Sequence, residues 1–311
     1  MIDLAMLPLV WISGIILFCY RRVGSERLPF QTRALKATGV FPIRDHYYEP
    51  LFVDARIHKP LSEHRALPGI NLRVQDQLSL LEQLHAGEEF ETHALRGNIA
   101  GSGMNFDINN GNYGPGDAEF LFAFLRHIKP RRVIEIGCGQ TTLVIEAAAS
   151  ANESEHGSRF EHICYEPYEQ PWLKCLNGVK LLRKRIETEN ANWQDELAEG
   201  DLLFIDSSHM IRPQGDVLYE YLELIPALAR GVYVHVHDIF TPRDYPDKWI
   251  RDAVKFWNEQ YLLEAILSNH GRYHVIAALN FLAVDHFDNL KAACPHLTDK
   301  RRPSSFYFQI K

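Results

Sequence analysis

The segment Val133-Ile134-Glu135-Ile136-Gly137-Cys138-Gly139-Gln140-Thr141 constrains this chain more than any other. Its apolar run reads as a short buried strand, and the two glycines behind it allow a tight turn and a close backbone approach. A helix beginning near Thr141 would offer free N–H groups beside that turn, so backbone alone could hold a ligand's polar atoms there. Glu135 stands inside the apolar strand. An unpartnered carboxylate would be costly there, so it is expected to meet the turn's amides, a cationic group of a ligand, or a structural hydrogen-bond donor.

From Asp117 onward the pattern alternates between helix and strand. Strands are predicted at 131–137, 159–166, 179–186, 201–206, 231–238 and 272–279, with a last one where Phe306, Phe308 and Ile310 alternate. Helices are predicted at 117–128, from 141 onward, from Asp216 to about Ala229, and as one long element at 248–269. Such alternation means an α/β fold with a mostly parallel, doubly wound sheet, whose ligands sit at the carboxyl ends of the strands. The polar stretch from Ser150 to Gly157 reads as a loop insertion. Trp249, Phe256, Trp257 and Tyr261 fall at helical spacings and read as a face packed on the sheet.

Three further regions complete the chain. Leu4–Tyr20 is uncharged and mostly apolar, followed by Arg21, Arg22, Arg27, Arg33 and Lys36. As a helix its residues span roughly 25 Å, near the length of a bilayer's apolar core. Positive charge after the apolar run predicts a membrane anchor with the bulk of the chain in the cytoplasm. The alternative is an apolar helix docked on the protein body, or on a second copy, in a soluble cytoplasmic protein. The expected division is therefore an anchor at 1–22, a helical and loop extension at 23–110 with a helix at 72–85, and a catalytic α/β domain at 111–311. Forty acidic against 33 basic residues give a net charge of −7, which argues against a protein that binds nucleic acid by neutralising phosphates. Five scattered cysteines carry no metal-ligand spacing and fit a reducing compartment.

A dinucleotide fingerprint would need a third glycine where this chain has Thr142, which disfavours a nicotinamide-dependent oxidoreductase. Instead, the Glu-x-Gly-x-Gly turn, Glu166 at the end of ICYEP, the FIDSSH segment and ALARGVYVHVHDIFTPRDYP (227–246) together resemble class I S-adenosylmethionine-dependent methyltransferases. Within that superfamily they resemble a bacterial subgroup related to sugar O-methyltransferases, over roughly residues 105 to 311. The resemblance implies a Rossmann-like seven-stranded sheet with an antiparallel C-terminal strand. It implies S-adenosylmethionine held by Glu135, Gly137, Cys138, Gly139, Glu166 and Asp206, with Glu166 on the ribose hydroxyls, and a saccharide or glycolipid-type acceptor. Related metal-dependent enzymes carry two adjacent aspartates after the fifth strand, where this chain has His237-Asp238. The choice between Mg²⁺ on Asp206 and Asp238 and no metal stays open.

Asp206, His209, His237 and Asp238 follow the fourth and fifth predicted strands. Neighbouring strands lie about 4.8 Å apart, so these four side chains can converge. A hydroxyl acceptor needs a base, and His209 or His237 is expected to serve, with Asp206 beside them. His235 lies deeper in its strand and is expected to be a hydrogen-bonded core histidine. A protein of another class, a catalytically silent scaffold on the same fold, would have no need of these residues together.

Overall fold

The glycine turn after the first strand sits at the centre of a seven-stranded sheet in a computed structural model that describes residues 2–52, 56–168 and 170–311. The strands are β1 Arg132–Ile136, β2 Glu161–Tyr165, β3 Val179–Leu182, β4 Leu202–Ile205, β5 Tyr233–Val236, β6 Tyr273–Ala278 and β7 Phe306–Ile310. Their order is β3-β2-β1-β4-β5-β7-β6. All are parallel except β7, which runs antiparallel to both neighbours. This is the Rossmann-like, doubly wound fold expected. Strand order reverses between β1 and β4, so their carboxyl ends open a crevice.

Apart from the half-buried Arg132, the central strands β1 and β4 are buried because helices cover both faces, so they read as largely apolar runs rather than alternating ones. The helices used below are α1 Ile2–Val23, α2 Pro29–Ala37, α3 Val74–Leu81, α4 Asp117–Ile128, α5 Gln140–His156 and α6 Glu259–Leu267. The first turn of α4 carries Asp117 and Glu119, where the helix dipole favours negative charge, and Glu119 accepts the Gly116 N–H at 3.1 Å. Gln77 of α3 accepts the Ala278 N–H at 2.8 Å and thereby ties the extension to the end of β6.

Several boundaries differ from the sequence reading. The polar stretch from Ser150 is helix, not loop: α5 runs to His156 and stops at Gly157, whose φ of 69° suits glycine. The longer distance between the glycine turn and Glu166 is therefore taken up by extra helical turns. The predicted helix at 248–269 is two elements, a π-helical turn at Lys248–Asp252 and α6, with no helix at 253–258. That break undoes the supposed aromatic face, because Trp249 lies beneath the Lys255 ammonium while the Trp257 ring packs on His209. The strand predicted at 179–186 ends at Leu182, and the helix at 72–85 contracts to α3.

The described chain falls into two compact units. The smaller comprises the residues up to Leu61 with Asp247–Phe256, and the larger comprises Ser62–Pro246 with Trp257–Lys311. In the smaller unit α1 is long and apolar enough to cross a membrane by length and composition. Its apolar side chains are exposed, Trp11 at 68% and Ile16 at 61%, and only Tyr20 is buried.

Candidate active site

The two glycines of the turn are glycine for different reasons. Gly137 has φ of 80°, and a Cβ there would lie 1.8 Å from the Asp206 carbonyl oxygen on the adjoining β4 end. The fold itself demands glycine at that point. Gly139 has an extended backbone, and a Cβ there would meet nothing within 4 Å. Its lack of a side chain leaves space beside the first turn of α5, where free N–H groups cluster.

Glu135 does not face that space. It is fully buried, and its carboxylate accepts hydrogen bonds from the hydroxyls of Thr141 and of Thr142, the latter at 2.8 Å. The His162 Nε2 lies 3.1 Å away. Thr142 Oγ1 in turn accepts the Gly139 N–H at 3.1 Å. The carboxylate thus braces the turn from below through two threonines, instead of meeting the turn's amides directly. His162 is held on its other side by Glu146 at 2.9 Å, and Glu146 pairs with Arg159. Burial disfavours a charged His162, but the two carboxylates outweigh it and hold its pKa up at about 9. No short-range pattern reveals this network, because Glu135 and His162 meet only through the β1–β2 pairing.

A cleft of about 560 Å³ opens at the carboxyl ends of β1, β2 and β4, lined among others by Gly137, Glu166, Lys184, Ile186, Asp206 and Ser208. Glu166 stands at its wall, accepting the Tyr168 N–H at 2.8 Å and the Cys138 N–H at 3.3 Å. The Cys138 thiol points inward instead. Burial, reinforced by the negative charge of Glu135 and Glu166, pushes its pKa up to about 12, so it is no nucleophile.

Asp206 joins this cleft to an ionisable cluster. Parallel pairing of Ile205 with Val236 sets Asp206 next to His237, as the strand spacing implied. The His237 Nδ1 lies 3.5 Å from Asp206 and 3.7 Å from Asp238. The His209 Nε2 lies 3.4 Å from Asp206 and 3.6 Å from Asp238. All four residues therefore converge. His209 and Asp238 both carry left-handed backbone, with φ of 59° and 58°, a conformation that costs energy outside glycine and aims both side chains inward. Burial opposes a charged imidazole here too, yet Asp206 and Glu259 hold the His209 pKa up at about 10. Asp238 and Asp206 likewise raise His237, and the imidazoles of His237 and His209 hold Asp206 well below the usual carboxylate range.

Residues not foreseen complete the cluster. Glu259, the first residue of α6, places a carboxylate oxygen 2.8 Å from the His209 Nδ1. The Ser304 hydroxyl donates to Asp238 at 3.0 Å, and the Tyr113 ring centroid lies 5.1 Å from that of His237. Each comes from a distant stretch of chain. Only the acidic start of α6 could have hinted at Glu259. His235 differs from its expectation: it is buried, but neither ring nitrogen has a hydrogen-bond partner among the described residues. It stacks on Phe204 at 3.8 Å instead, and burial with the neighbouring His237 keeps it neutral.

A family model described as a methyltransferase domain matches residues 134–239, from the middle of β1 to just past β5. An uncharacterised protein of Archaeoglobus fulgidus is 28% identical over 177 residues, 51% of this chain and 75% of that protein. Among solved structures, an SAH-bound methyltransferase of Podospora anserina is 19% identical, with a TM-score of 0.40, over 78% of this chain and 97% of that one. An O-methyltransferase of Bacillus cereus in complex with SAH is 15% identical, with a TM-score of 0.38, over 74% and 100%. The domain match spans the glycine turn, Glu166 and the whole Asp206–Asp238 region. Over residues 134–239 the chain thus matches a methyltransferase domain.

Proposed function

We propose that residues 111–311 transfer a methyl group from S-adenosylmethionine to a hydroxyl of a saccharide or glycolipid-type acceptor. One observation carries the placing of the chemistry: Asp206 lines the cleft beside the glycine turn and also belongs to the cluster with His209, His237 and Asp238. The cofactor supplies an electrophilic methyl group on a sulfonium. The glycine turn and Glu166 would hold it, with Glu166 turning from backbone amides to the ribose hydroxyls. An acceptor oxygen at the cluster would take the methyl while its proton passed to the neutral form of an imidazole, a form that the neighbouring carboxylates make scarce for His209 below about pH 10, leaving a methyl ether and S-adenosylhomocysteine. Positioning of oxygen against sulfonium would supply much of the rate. The saccharide class rests on the FIDSSH and 227–246 segments. Incubating the full chain with radiolabelled methyl donor and extracts of sugars and lipid-linked saccharides tests the reading. Label recovered in an alkali-stable ether on a sugar supports it; label only on nitrogen or carboxylate acceptors overturns it.

The donor set favours one second reading. Asp206, His237 and Asp238 each offer an atom within 4.8 Å of the others, two hard oxygens and an imidazole, which suits a divalent cation. Such an ion would hold the acceptor oxygen and lower its proton affinity, replacing the protons that the two histidines otherwise keep.

We further propose that α1 anchors the chain in a membrane with the catalytic domain in the cytoplasm. Its 22 residues span about 33 Å, enough to cross a ~30 Å apolar core. Recovery of the full chain in the soluble fraction without detergent would overturn this.

A further inference from the structure

At the end of α1 the chain does not simply leave the apolar region. The Tyr20 hydroxyl hydrogen-bonds Thr32 Oγ1 at 2.5 Å, and Thr32 Oγ1 also lies within hydrogen-bond reach of the Ser25 and Leu28 carbonyls. Tyr20 is the one buried residue of α1, packed edge-on against Phe41. These contacts pin α2 to the carboxyl end of α1. If α1 spans a bilayer, α2 is held at headgroup depth.

The residues held there suit that depth. Arg22 lies in the last turn of α1, Arg27 lies between the helices, and Arg33 and Lys36 share a face of α2 at helical spacing; all four are exposed. Among the described ion pairs none of the four has a carboxylate partner, whereas Arg21 is tied to Glu49. Phe30, beside them on α2, is 79% exposed. Basic side chains with an exposed aromatic ring on a surface helix match the interface between anionic headgroups and acyl chains.

We propose that α2 with Arg22 and Arg27 is a docking surface for anionic phospholipid headgroups, with Phe30 inserted at the acyl boundary. This rests on the reading of α1 as an anchor, and it adds a lipid preference that an anchor alone does not have. The fixed geometry matters: a disordered basic tail would be attracted to the same lipids, but would not keep Phe30 at one depth.

The test uses the full chain in detergent, diluted into preformed vesicles and followed by flotation. One set is phosphatidylcholine alone, and the other contains phosphatidylglycerol as well. The expected result is partitioning at least about tenfold stronger into the anionic vesicles at low salt, with the preference largely removed at high salt. The quadruple variant R22Q/R27Q/R33Q/K36Q should lose the preference yet still float with both vesicle types. F30S should weaken partitioning into both by several-fold. Unchanged S-adenosylmethionine affinity of each variant confirms folding. Equal flotation of the wild type with both vesicle types overturns the docking surface while leaving the anchor intact. Failure to float with either overturns the anchor and, with it, this proposal.

Discussion

The His209 Nδ1 lies 2.8 Å from a Glu259 oxygen, and the His209 carbonyl accepts the N–H groups of Asn258 and Glu259 at 3.1 and 3.3 Å. The start of α6 therefore holds one histidine by both backbone and side chain. Because Nδ1 is spent on Glu259, the Nε2 is the nitrogen turned to Asp206 and Asp238. The Glu259 carboxylate is itself fixed by the Tyr221 hydroxyl at 3.0 Å. Carboxylate–imidazole pairs of this kind set which nitrogen is free to act, whether it acts on a proton or beside a metal ion.

Glu259→Gln should accordingly lower turnover by about 10- to 10³-fold with little change in S-adenosylmethionine affinity, because an amide can reverse the ring's donor pattern. His209→Ala should cost about 10²–10⁴-fold, and adding Glu259→Gln to it should cost little more. Steady-state kinetics on an acceptor found in the labelling screen check both. Additive losses would show that Glu259 acts through the fold and not through His209.

The two glycines separate folding from binding. Gly137→Ala should prevent stable folding or cost several kcal/mol, since its Cβ would collide with the Asp206 carbonyl. Gly139→Val should leave the unfolding midpoint nearly unchanged but weaken S-adenosylmethionine binding by tenfold or more, as the branched side chain fills the space beside α5. Thermal unfolding together with calorimetric titration of the cofactor reads both effects. Unimpaired binding by Gly139→Val would remove the turn from the cofactor site.

Glu166→Ala should weaken the cofactor about ten- to a hundredfold, the loss of one or two charge-assisted hydrogen bonds at roughly 1.5–3 kcal/mol. The same titration checks it. Equal affinity in a folded variant would take Glu166 off the ribose.

Stability should fall at alkaline pH. His162 rises from an ordinary 6.5 to about 9 in the folded protein, and His209 to about 10. A raised pKa contributes stability that is fully present below pH 6.5 and is lost as pH climbs through the folded values. The sign is therefore destabilisation between pH 6.5 and 10, on the order of 1–3 kcal/mol for each buried imidazole. Urea midpoints measured across that range should decline steadily. A flat profile would mean that the imidazoles are not held charged by their carboxylates.

If the cluster of Asp206, His237 and Asp238 takes a divalent cation, chelator should abolish methyl transfer and Mg²⁺ or Mn²⁺ should restore it. Asp238→Asn should then be as damaging as His237→Ala. Full activity in chelator, with both histidine variants inactive, would leave the imidazoles as the proton acceptors without a metal.

The order of strands and helices, the glycine turn and the carboxyl ends where polar residues gather can all be read along the chain. Those signals are local: apolar runs, glycines behind a strand, acidic helix starts. Asp206, His209, His237 and Asp238 were legible because parallel strands place their ends side by side. Which groups those residues meet is set by packing between distant stretches of chain. Glu135 faces His162 and two threonines, and the His209 ring is claimed by a glutamate fifty positions away. The unpaired burial of His235 likewise depends on Phe204 from another strand. Charges and rings buried together are brought there by strand pairing and helix packing, and the energy of each depends on the whole set of neighbours rather than on spacing along the chain.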